Sequence, residues 1–596
     1  MSKLTRRSFI ALTTALAGTL AIPKHVLGAT LSAPLKPNTD APTTLRETVK
    51  LGPVVRNKYR QLIAGSGESY VTRTDLVGGK ASKVSDEQRR SLAYLGHFSD
   101  IHLIDAQSPG RLEPLAALTK AMRDATRPQE TMTVNVLAQM VTAVRASMTS
   151  PVTGAPMLAA INTGDAADSK GGHELDWYIK ILDGKDVIPN SGLDGQYQGI
   201  QAWESATYAY QPPFPHLDSY GEFGFPTLPD MLDKVVSQTV KSPGLPCPWY
   251  TTYGNHDALF MGNVPVQPSL AAYATGERKA ATWQPMATQM VDWWGLGTSS
   301  FEQMMLQVHT KFSRSEGLHT VAADSGRTPF TRTEFMQAHL ESPASPGPVG
   351  HGFTQANVDN NTTYWEADLT PYLRVFGIDT CNFASGANGS LPKDQFDWLE
   401  ARLAETQKQN IFALVTSHHN SMTMNNTAQY AYGPQQPLIE GDEFVDMLKK
   451  YPNMIAWING HTHMNTIIAH PREDGHGFWE ITTASCVDFP QQQQVLDFVD
   501  NRDGTLSIFA TTIDHDSPIT WREGDYSQAG FASLSRELSA NAMAYEPDVL
   551  TGSRLDRNTE LLVKAPFDTK TISDAAVQTV VAKAQARLLA NSKKEV

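Results

Sequence analysis

Residues 248–257 read PWYTTYGNHD, a short apolar run that ends in glycine, asparagine, histidine and aspartate. Four other short apolar runs also end in a cluster of polar side chains. They are SLAYLGHFSD (91–100), PMLAAINTGD (156–165), IFALVTSHH (411–419) and MIAWINGHTH (454–463). Apolar runs of this length, bounded by turn residues, are typical of buried strands. The sequence therefore predicts strands that present chemically active side chains at their carboxyl ends.

Helical patterns separate several of these runs. Apolar residues recur at helical spacing from Val134 to Met148, from Phe396 to Leu403 and from Phe444 to Leu448, the second of these after the strand-like run RVFGIDT (374–380). Alternating strands and helices predict parallel α/β units. In open α/β sheets, ligands bind beyond the carboxyl ends of the strands, which is where the polar clusters fall.

The clusters consist of carboxylates, imidazoles and one amide. In chain order they are Asp100 with His102, Asp165, Asn255-His256-Asp257, His418-His419, and His461 with His463. Oxygen and nitrogen ligands of this kind suit Zn, Mn or Fe. The i, i+2 spacing of the first and last pairs would put both side chains on one side of an extended segment. Each cluster alone is weak evidence for a metal site, but the ordered set indicates a metal centre.

The ordered pattern D-x-H, G-D, G-N-H-[DE], H, G-H-x-H resembles the signature of the calcineurin-like metallophosphoesterase superfamily, over about residues 92–485. That resemblance implies an α/β (α+β) fold, a four-layer αββα sandwich with two mixed β-sheets, and two divalent metal ions. It implies one metal set of Asp100, His102 and His463, a second of Asn255, His418 and His461, and Asp165 as the bridge between them. His419 is the alternative to His418 as the ligand.

Two such ions, Mn, Fe, Zn or a mixed pair, would generate a bridging hydroxide that attacks phosphorus directly. His256 would then act as general acid or charge stabiliser, with Asp257 orienting its imidazole through a hydrogen bond. We therefore expect a phosphatase or phosphodiesterase for phosphate mono- or diesters. The alternatives are a non-catalytic metal-binding protein of the cell envelope and a metal-dependent hydrolase of non-phosphate bonds.

The amino-terminal residues have the pattern of a targeting signal. TRRSFI (5–10) precedes an uncharged run and a small-residue cleavage point near Gly28 or Ala29, which resembles a twin-arginine signal peptide. A short amphipathic anchor or an ordinary secretory signal is the alternative, and the run is too short for a membrane-spanning helix. We expect periplasmic or secreted localisation, the twin-arginine export machinery as a partner, and metal acquired before export.

Composition narrows the substrate. The net charge of −13 argues against a nucleic-acid polymer as a partner. Aromatic residues within 205–225 leave a nucleotide-like small phosphoester as one option. The cysteines, Cys247, Cys381 and Cys486, are odd in number and predict at most one disulfide.

A length of 596 residues alone would suggest about four domains, but the clusters span too much of the chain to be divided. We instead expect a signal (1–29), an extended lead-in (30–90) and one catalytic domain (91–490). Long insertions fall at about 169–245 and 258–370, and a C-terminal β-hairpin and helical extension covers 491–596.

Overall fold

The computed structural model describes residues 35–592 except 81, 83, 85–87, 112, 118–122, 124, 216, 217, 267, 282–317, 430–434 and 545. The strands are β1 Glu47–Arg56, β2 Tyr59–Ser66, β3 Val71–Arg73, β4 Arg90–Phe98, β5 Ala159–Asn162, β6 Trp249–Thr251, β7 Arg278–Ala280, β8 Leu318–Thr320, β9 Trp365–Thr370, β10 Leu373–Gly377, β11 Leu391–Pro392, β12 Phe412–Thr416, β13 Leu438–Ile439, β14 Met454–Asn459, β15 Thr466–Pro471, β16 Gly477–Thr482, β17 Gln492–Asp500, β18 Thr505–Asp514 and β19 Thr559–Lys564. The predicted signal peptide lies outside the described residues.

The α-helices alternate with these strands through most of the chain. They are α1 Thr133–Ala146, α2 Gly172–Leu182, α3 Ser219–Phe223, α4 Met231–Ser237, α5 Asn255–Ala258, α6 Pro268–Ala274, α7 Arg332–Leu340, α8 Gln355–Asn360, α9 Lys393–Lys408, α10 Gly441–Lys449, α11 Gln528–Ala540, α12 Pro547–Leu550 and α13 Asp574–Ser592. In the part of the chain that the structure describes, no helix is long and apolar enough to cross a membrane.

A six-stranded sheet runs in the order β15-β16-β14-β12-β10-β9. Its four central strands are parallel, and β9 and β15 add antiparallel edges. Because side chains alternate across a strand, Leu414 and Ile458 enter one core while Val415 and Trp457 enter another. The second core is completed by apolar residues of α9 and α10, so these two helices cover that face of the sheet.

A seven-stranded sheet runs in the order β3-β19-β18-β17-β4-β5-β6. Strands β4, β5 and β6 are parallel neighbours. The hairpin of β17 and β18, which the sequence suggested as part of an extension beginning at residue 491, lies inside this sheet because β17 pairs with β4 over Gln494↔His97 to Asp500↔Arg90. A boundary at residue 490 would therefore cut through a continuous hydrogen-bonded sheet.

The two sheets share one large core. Leu95, Ile161 and Leu496 of the seven-stranded sheet and Leu414 and Ile458 of the six-stranded sheet belong to it and are buried. Helix α1 contacts β18, α2 and α11 on the remaining side. The order of helices, sheet, sheet and helices confirms the predicted sandwich with two mixed sheets.

The predicted lead-in and the predicted C-terminal extension contain regular structure. The lead-in forms the β1–β2 hairpin and also supplies β3 at the edge of the seven-stranded sheet. Helix α13 buries Val577, Ala584 and Leu588. All three cysteines are free and buried, so the structure contains no disulfide among the described residues.

Candidate metal centre

The predicted ligands follow five strands whose carboxyl ends meet. Asp100 and His102 come after β4, Asp165 after β5 and Asn255 after β6, all from parallel neighbours of one sheet. His418 follows β12, and His461 and His463 follow β14. These two strands are parallel neighbours in the other sheet. The site is therefore built across both sheets of the sandwich at one end.

The backbone at these positions differs from the extended geometry that the i, i+2 spacing suggested. The residues in the left-handed region, with φ between 47° and 71°, are Asp100, His102, Asp165, His461 and His463. This region is uncommon for residues other than glycine and costs free energy. The surrounding structure must hold this conformation, and left-handed turns rather than extended segments bring the side chains together.

The first set of predicted ligands forms a tight cluster of donor atoms. His102 Nε2 lies 3.1 Å from His463 Nε2 and 3.5 Å from Asp165 Oδ2. His463 Nε2 lies 3.4 Å from Asp100 Oδ1. Ligands about 2.0–2.2 Å from one metal ion are separated from each other by roughly 3.0–3.5 Å, so these spacings fit a common ion.

The second set converges in the same way. Asn255 Oδ1 lies 2.8 Å from His418 Nε2 and 3.1 Å from His461 Nδ1, and the two imidazole nitrogens are 3.2 Å apart. His418 Nε2 is also 3.1 Å from Asp165 Oδ2. Asp165 therefore contacts both sets, as expected of a bridging carboxylate.

Hydrogen bonds around the first set turn lone pairs inward. His102 Nδ1 is 3.0 Å from Asp168 Oδ1, and His463 Nδ1 is 2.7 Å from Asp488 Oδ2. A carboxylate accepts a hydrogen bond, so each Nδ1–H donates outward and, in the neutral ring, the Nε2 lone pair faces the cluster. Two lone pairs 3.1 Å apart repel each other unless a proton or a metal ion lies between them.

Hydrogen bonds around the second set also direct its acceptor atoms inward. His418 Nδ1 is 2.9 Å from the carbonyl oxygen of Thr163, so it donates there and, in the neutral ring, the Nε2 lone pair faces inward. The Asn255 side-chain amide donates to the carbonyl of Gly262 over 3.1 Å, which turns its oxygen toward His418 and His461. These buried nitrogen and oxygen acceptors fit divalent metal ions such as Zn, Mn or Fe.

Asp168 is an ionised partner at neutral pH. Burial raises the pKa of its carboxyl, but the guanidinium of Arg111 and the hydrogen bond from His102 outweigh burial, and the pKa falls well below its usual range. Burial likewise raises the pKa of Asp165, while His418 and His256 lower it well below the usual range. Both carboxylates therefore carry the charge that a metal site needs.

The hydrogen bonds of His419 favour His418 as the ligand, although the donor atoms of His418, His419 and His461 also lie close enough together to hold one ion. Its Nδ1 lies 2.8 Å from the Thr380 hydroxyl and its Nε2 lies 2.8 Å from the carbonyl of Ala387. Both ring nitrogens are thus used away from the cluster, and burial lowers the pKa of the imidazole to about 3. Of the two adjacent histidines, His418 has the nitrogen that faces the other donors.

The structure gives His256 and Asp257 different surroundings from those predicted. The imidazole of His256 donates from Nδ1 to the backbone carbonyl of Asp168, 2.6 Å away, and its side chain is 19% exposed beside the cluster. Asp257 does not orient that ring. Its carboxylate accepts backbone N–H groups of Gly254, Ala166 and Ala167 at 3.0–3.3 Å, so it fixes the two loops that carry Asp165 and Asn255.

Sequence reasoning missed the residues that support the ligands. These are Asp168, Asp488, Arg111 and Arg127, all buried and all within the hydrogen-bonded network around His102 and His463. Asp168 follows Asp165 by three positions and could have been noticed as a second carboxylate. The other three lie in segments without a recognisable pattern.

Four of the predicted ligands, Asp165, Asn255, His461 and His463, line a cleft of 270 Å³, which also includes Arg127, His256 and Leu550. A larger cavity of 490 Å³ lies elsewhere, and its described lining, with Arg332, Tyr364 and Asp379, contains none of the predicted ligands. We assign the chemistry to the smaller cleft because the convergent donor atoms are there.

The aromatic residues that suggested a nucleotide do not line this cleft. Tyr210, Tyr220 and Phe225 are buried and pack on one another and on Tyr59, with ring centroids 5.0–6.1 Å apart. They form a separate apolar core, so they supply no stacking surface for a base.

No family model matches the sequence, and no curated protein matches it. A crystal structure of a dimetal phosphatase from Danio rerio is similar with a TM-score of 0.33 and 11% identity, covering 72% of this chain and 100% of that chain. At this TM-score the similarity supports no inference, and the metal centre rests on the geometry of the chain itself.

Proposed function

We propose that the protein is a metal-dependent phosphoric ester hydrolase that binds two divalent ions, one in each ligand set. The observation that carries this proposal is the meeting of inward-facing lone pairs in two sets that share Asp165. A purely structural metal site is closed by its ligands, whereas this cluster opens to a cleft that also contains His256 and Arg127.

Two bound divalent ions would supply Lewis-acid polarisation of the phosphoryl group and activation of the attacking water. The chain contributes the remaining steps. Asp165 holds the two sets at a fixed separation, since its Oδ2 contacts His102 and His418. His256, anchored through Nδ1 to the Asp168 carbonyl, would give a proton to the departing oxygen from Nε2.

The cleft favours small substrates. A volume of 270 Å³ is at the lower end of the range of about 300–1,000 Å³ for small-molecule sites. Arg127 and His256 are its cationic or proton-donating side chains beyond the ligands among the described residues. We propose a small phosphate mono- or diester as the substrate.

We also propose export by the twin-arginine route to the periplasm or the medium. The support is the Arg6-Arg7 pair before an uncharged run and small residues. Residues 1–34 fused to a reporter should direct it out of the cytoplasm, and replacing Arg6 and Arg7 together by lysine should abolish that transport. Unchanged export of the double variant would contradict this route.

A substrate panel tests the enzymatic proposal. We expect purified protein loaded with Mn²⁺ or Zn²⁺ to hydrolyse para-nitrophenyl phosphate or its bis ester, and chelation to abolish that turnover. Hydrolysis of para-nitrophenyl acetate alone would indicate a hydrolase of non-phosphate bonds. A full metal complement with no turnover of any ester would indicate a non-catalytic metal-binding protein.

A further inference from the structure

Arg127 lies between two buried carboxylates. Its Nε is 3.0 Å from Asp488 Oδ1, and its Nη2 is 3.4 Å from Asp488 Oδ2. Its Nη1 is 3.4 Å from Asp168 Oδ1. The side chain of Arg127 is 9% exposed, and those of the two aspartates are 1% and 3% exposed. One guanidinium therefore contacts both carboxylates in a site that is largely shielded from water.

Each of these carboxylates holds one histidine of the first ligand set. Asp168 accepts from Nδ1 of His102, and Asp488 accepts from Nδ1 of His463. The two rings then direct their Nε2 atoms at each other, 3.1 Å apart. Arg127 is thus one hydrogen bond removed from both histidines, although His102 and His463 lie in loops that follow strands of different sheets.

The second ligand set is supported differently. His418 donates to a backbone carbonyl, that of Thr163, and Asn255 donates to that of Gly262. In this set, among the described residues, only His461 faces a side chain on its outer side, with Nε2 3.5 Å from Asn388 Oδ1. Backbone groups are fixed by the fold, whereas the carboxylates behind His102 and His463 are side chains with their own rotamers. The first set therefore depends on a side chain that keeps both carboxylates in place.

We propose that Arg127 is a positioning residue that fixes the first metal set by joining the two carboxylates that orient His102 and His463. This inference rests on the proposed function only in taking these histidines as metal ligands. The planar, forked guanidinium can contact two carboxylates at once, whereas a lysine ammonium is a single point charge on a flexible stem. Charge alone should therefore not replace Arg127.

Arg111 provides an internal comparison. It contacts Asp168 and also Glu130, with Nη2 3.3 Å from Glu130 Oε2, and it is completely buried. Arg111 thus supports the His102 side, while Arg127 joins that side to the His463 side. Of these two arginines, only Arg127 contacts the carboxylates behind both His102 and His463.

The test separates the two sets by removing one at a time. In an Asn255→Ala background the remaining high-affinity site is the first set, and in a His463→Ala background it is the second. Arg127→Lys and Arg127→Met are added to each background, and Mn²⁺ or Zn²⁺ affinity is measured by competition with a fluorescent chelator. Arg402→Met, which removes a 40% exposed guanidinium from α9, is the control, and circular dichroism checks folding.

We expect both Arg127 variants to weaken metal binding about 10- to 100-fold in the Asn255→Ala background. In the His463→Ala background, and for Arg402→Met in either, affinity should stay unchanged. Unchanged affinity in the first background, full rescue by lysine, or equal weakening in both backgrounds would overturn the proposal. Should Arg127→Met not fold, Arg127→Lys carries the test because it keeps the charge.

The proposed function fails in a different way. If the protein without these substitutions binds no divalent metal, the metal centre itself is wrong. If it binds two equivalents but Arg127 variants do so with equal affinity, only the positioning role of Arg127 is wrong.

Discussion

Replacing Gly254 by alanine should disable the centre without changing any ligand. A Cβ added at Gly254 would lie 2.1 Å from Asp165 Oδ1 and 2.2 Å from the Asp165 backbone nitrogen. Real Cβ atoms essentially never approach other heavy atoms more closely than 3.0 Å, so the two loops must separate by about 1 Å. The backbone of Gly254 itself is extended, with φ −105° and ψ 168°, and alanine adopts that conformation without penalty.

The separation moves the Asp165 carboxylate away from the second set. Asp165 lies on one side of the contact, and Asn255 and His256 follow Gly254 directly on the other. A misplacement of about 1 Å in a catalytic constellation costs about 100-fold in rate, or about 2.7 kcal/mol. We therefore expect kcat/KM for para-nitrophenyl phosphate or its bis ester to fall about 100-fold, with metal content reduced.

Gly504→Ala is the matched control. Gly504 lies in the turn between β17 and β18 at φ 88°, with no atom within 4 Å of an added Cβ. That variant should lose about 1–2 kcal/mol of stability through left-handed strain and keep its activity. Wild-type kcat/KM and metal content in Gly254→Ala would refute the close packing of Gly254 on Asp165 as the basis of the site.

Three further predictions concern individual side chains. His256→Ala should slow esters with poor leaving groups far more than activated nitrophenyl esters, because only the former need a proton on departure; equal losses in kcat for both would rule out the general-acid role. His418→Ala should lose metal and activity, whereas His419→Ala should retain bound metal because both nitrogens of His419 face other partners. Metal loss confined to His419→Ala would show that His419, and not His418, is the ligand. Burial raises the pKa of the Cys247 and Cys486 thiols to about 12 and that of Cys381 well above its usual range. The protonated thiols dominate below those values, so none should react with Ellman's reagent at pH 8 until the protein is denatured. Rapid reaction of the native protein would contradict that burial.

The position of the site could be predicted because an apolar run followed by polar residues marks where a buried strand ends. The apolar runs before Asp100, Asp165, Asn255, His418 and His461 become β4, β5, β6, β12 and β14. Parallel neighbours must bring their carboxyl ends together, so the ordering of clusters along the chain implied their meeting in space. The sandwich of two sheets agrees with the same pattern.

The surroundings of the ligands were harder to predict. Arg127 and Asp488 are 361 positions apart, and no periodicity links loops that far apart in sequence. Adjacency in the sequence predicts that Asp257 orients His256, but at the start of α5 the Asp257 side chain turns back to the N–H of Gly254. Adjacent residues on a helix point in different directions, which a motif read as a string does not show.

The pairing of β17 with β4 was also not predicted. The hairpin itself follows from Asn501 to Gly504 between two apolar runs. Its partner strand, however, depends on long-range packing, since Gln494 pairs with His97 across almost 400 positions. Local patterns therefore identify the strands but not their partners across the sheet.

Metal stoichiometry tests the central claim most directly. Elemental analysis of the purified protein, as isolated and after reconstitution with Mn²⁺ or Zn²⁺, should give two equivalents per chain. Asp165→Asn, which weakens the carboxylate in contact with both sets, should lose bound metal and activity together. Two full equivalents in Asp165→Asn with normal turnover would contradict a dinuclear centre bridged by Asp165.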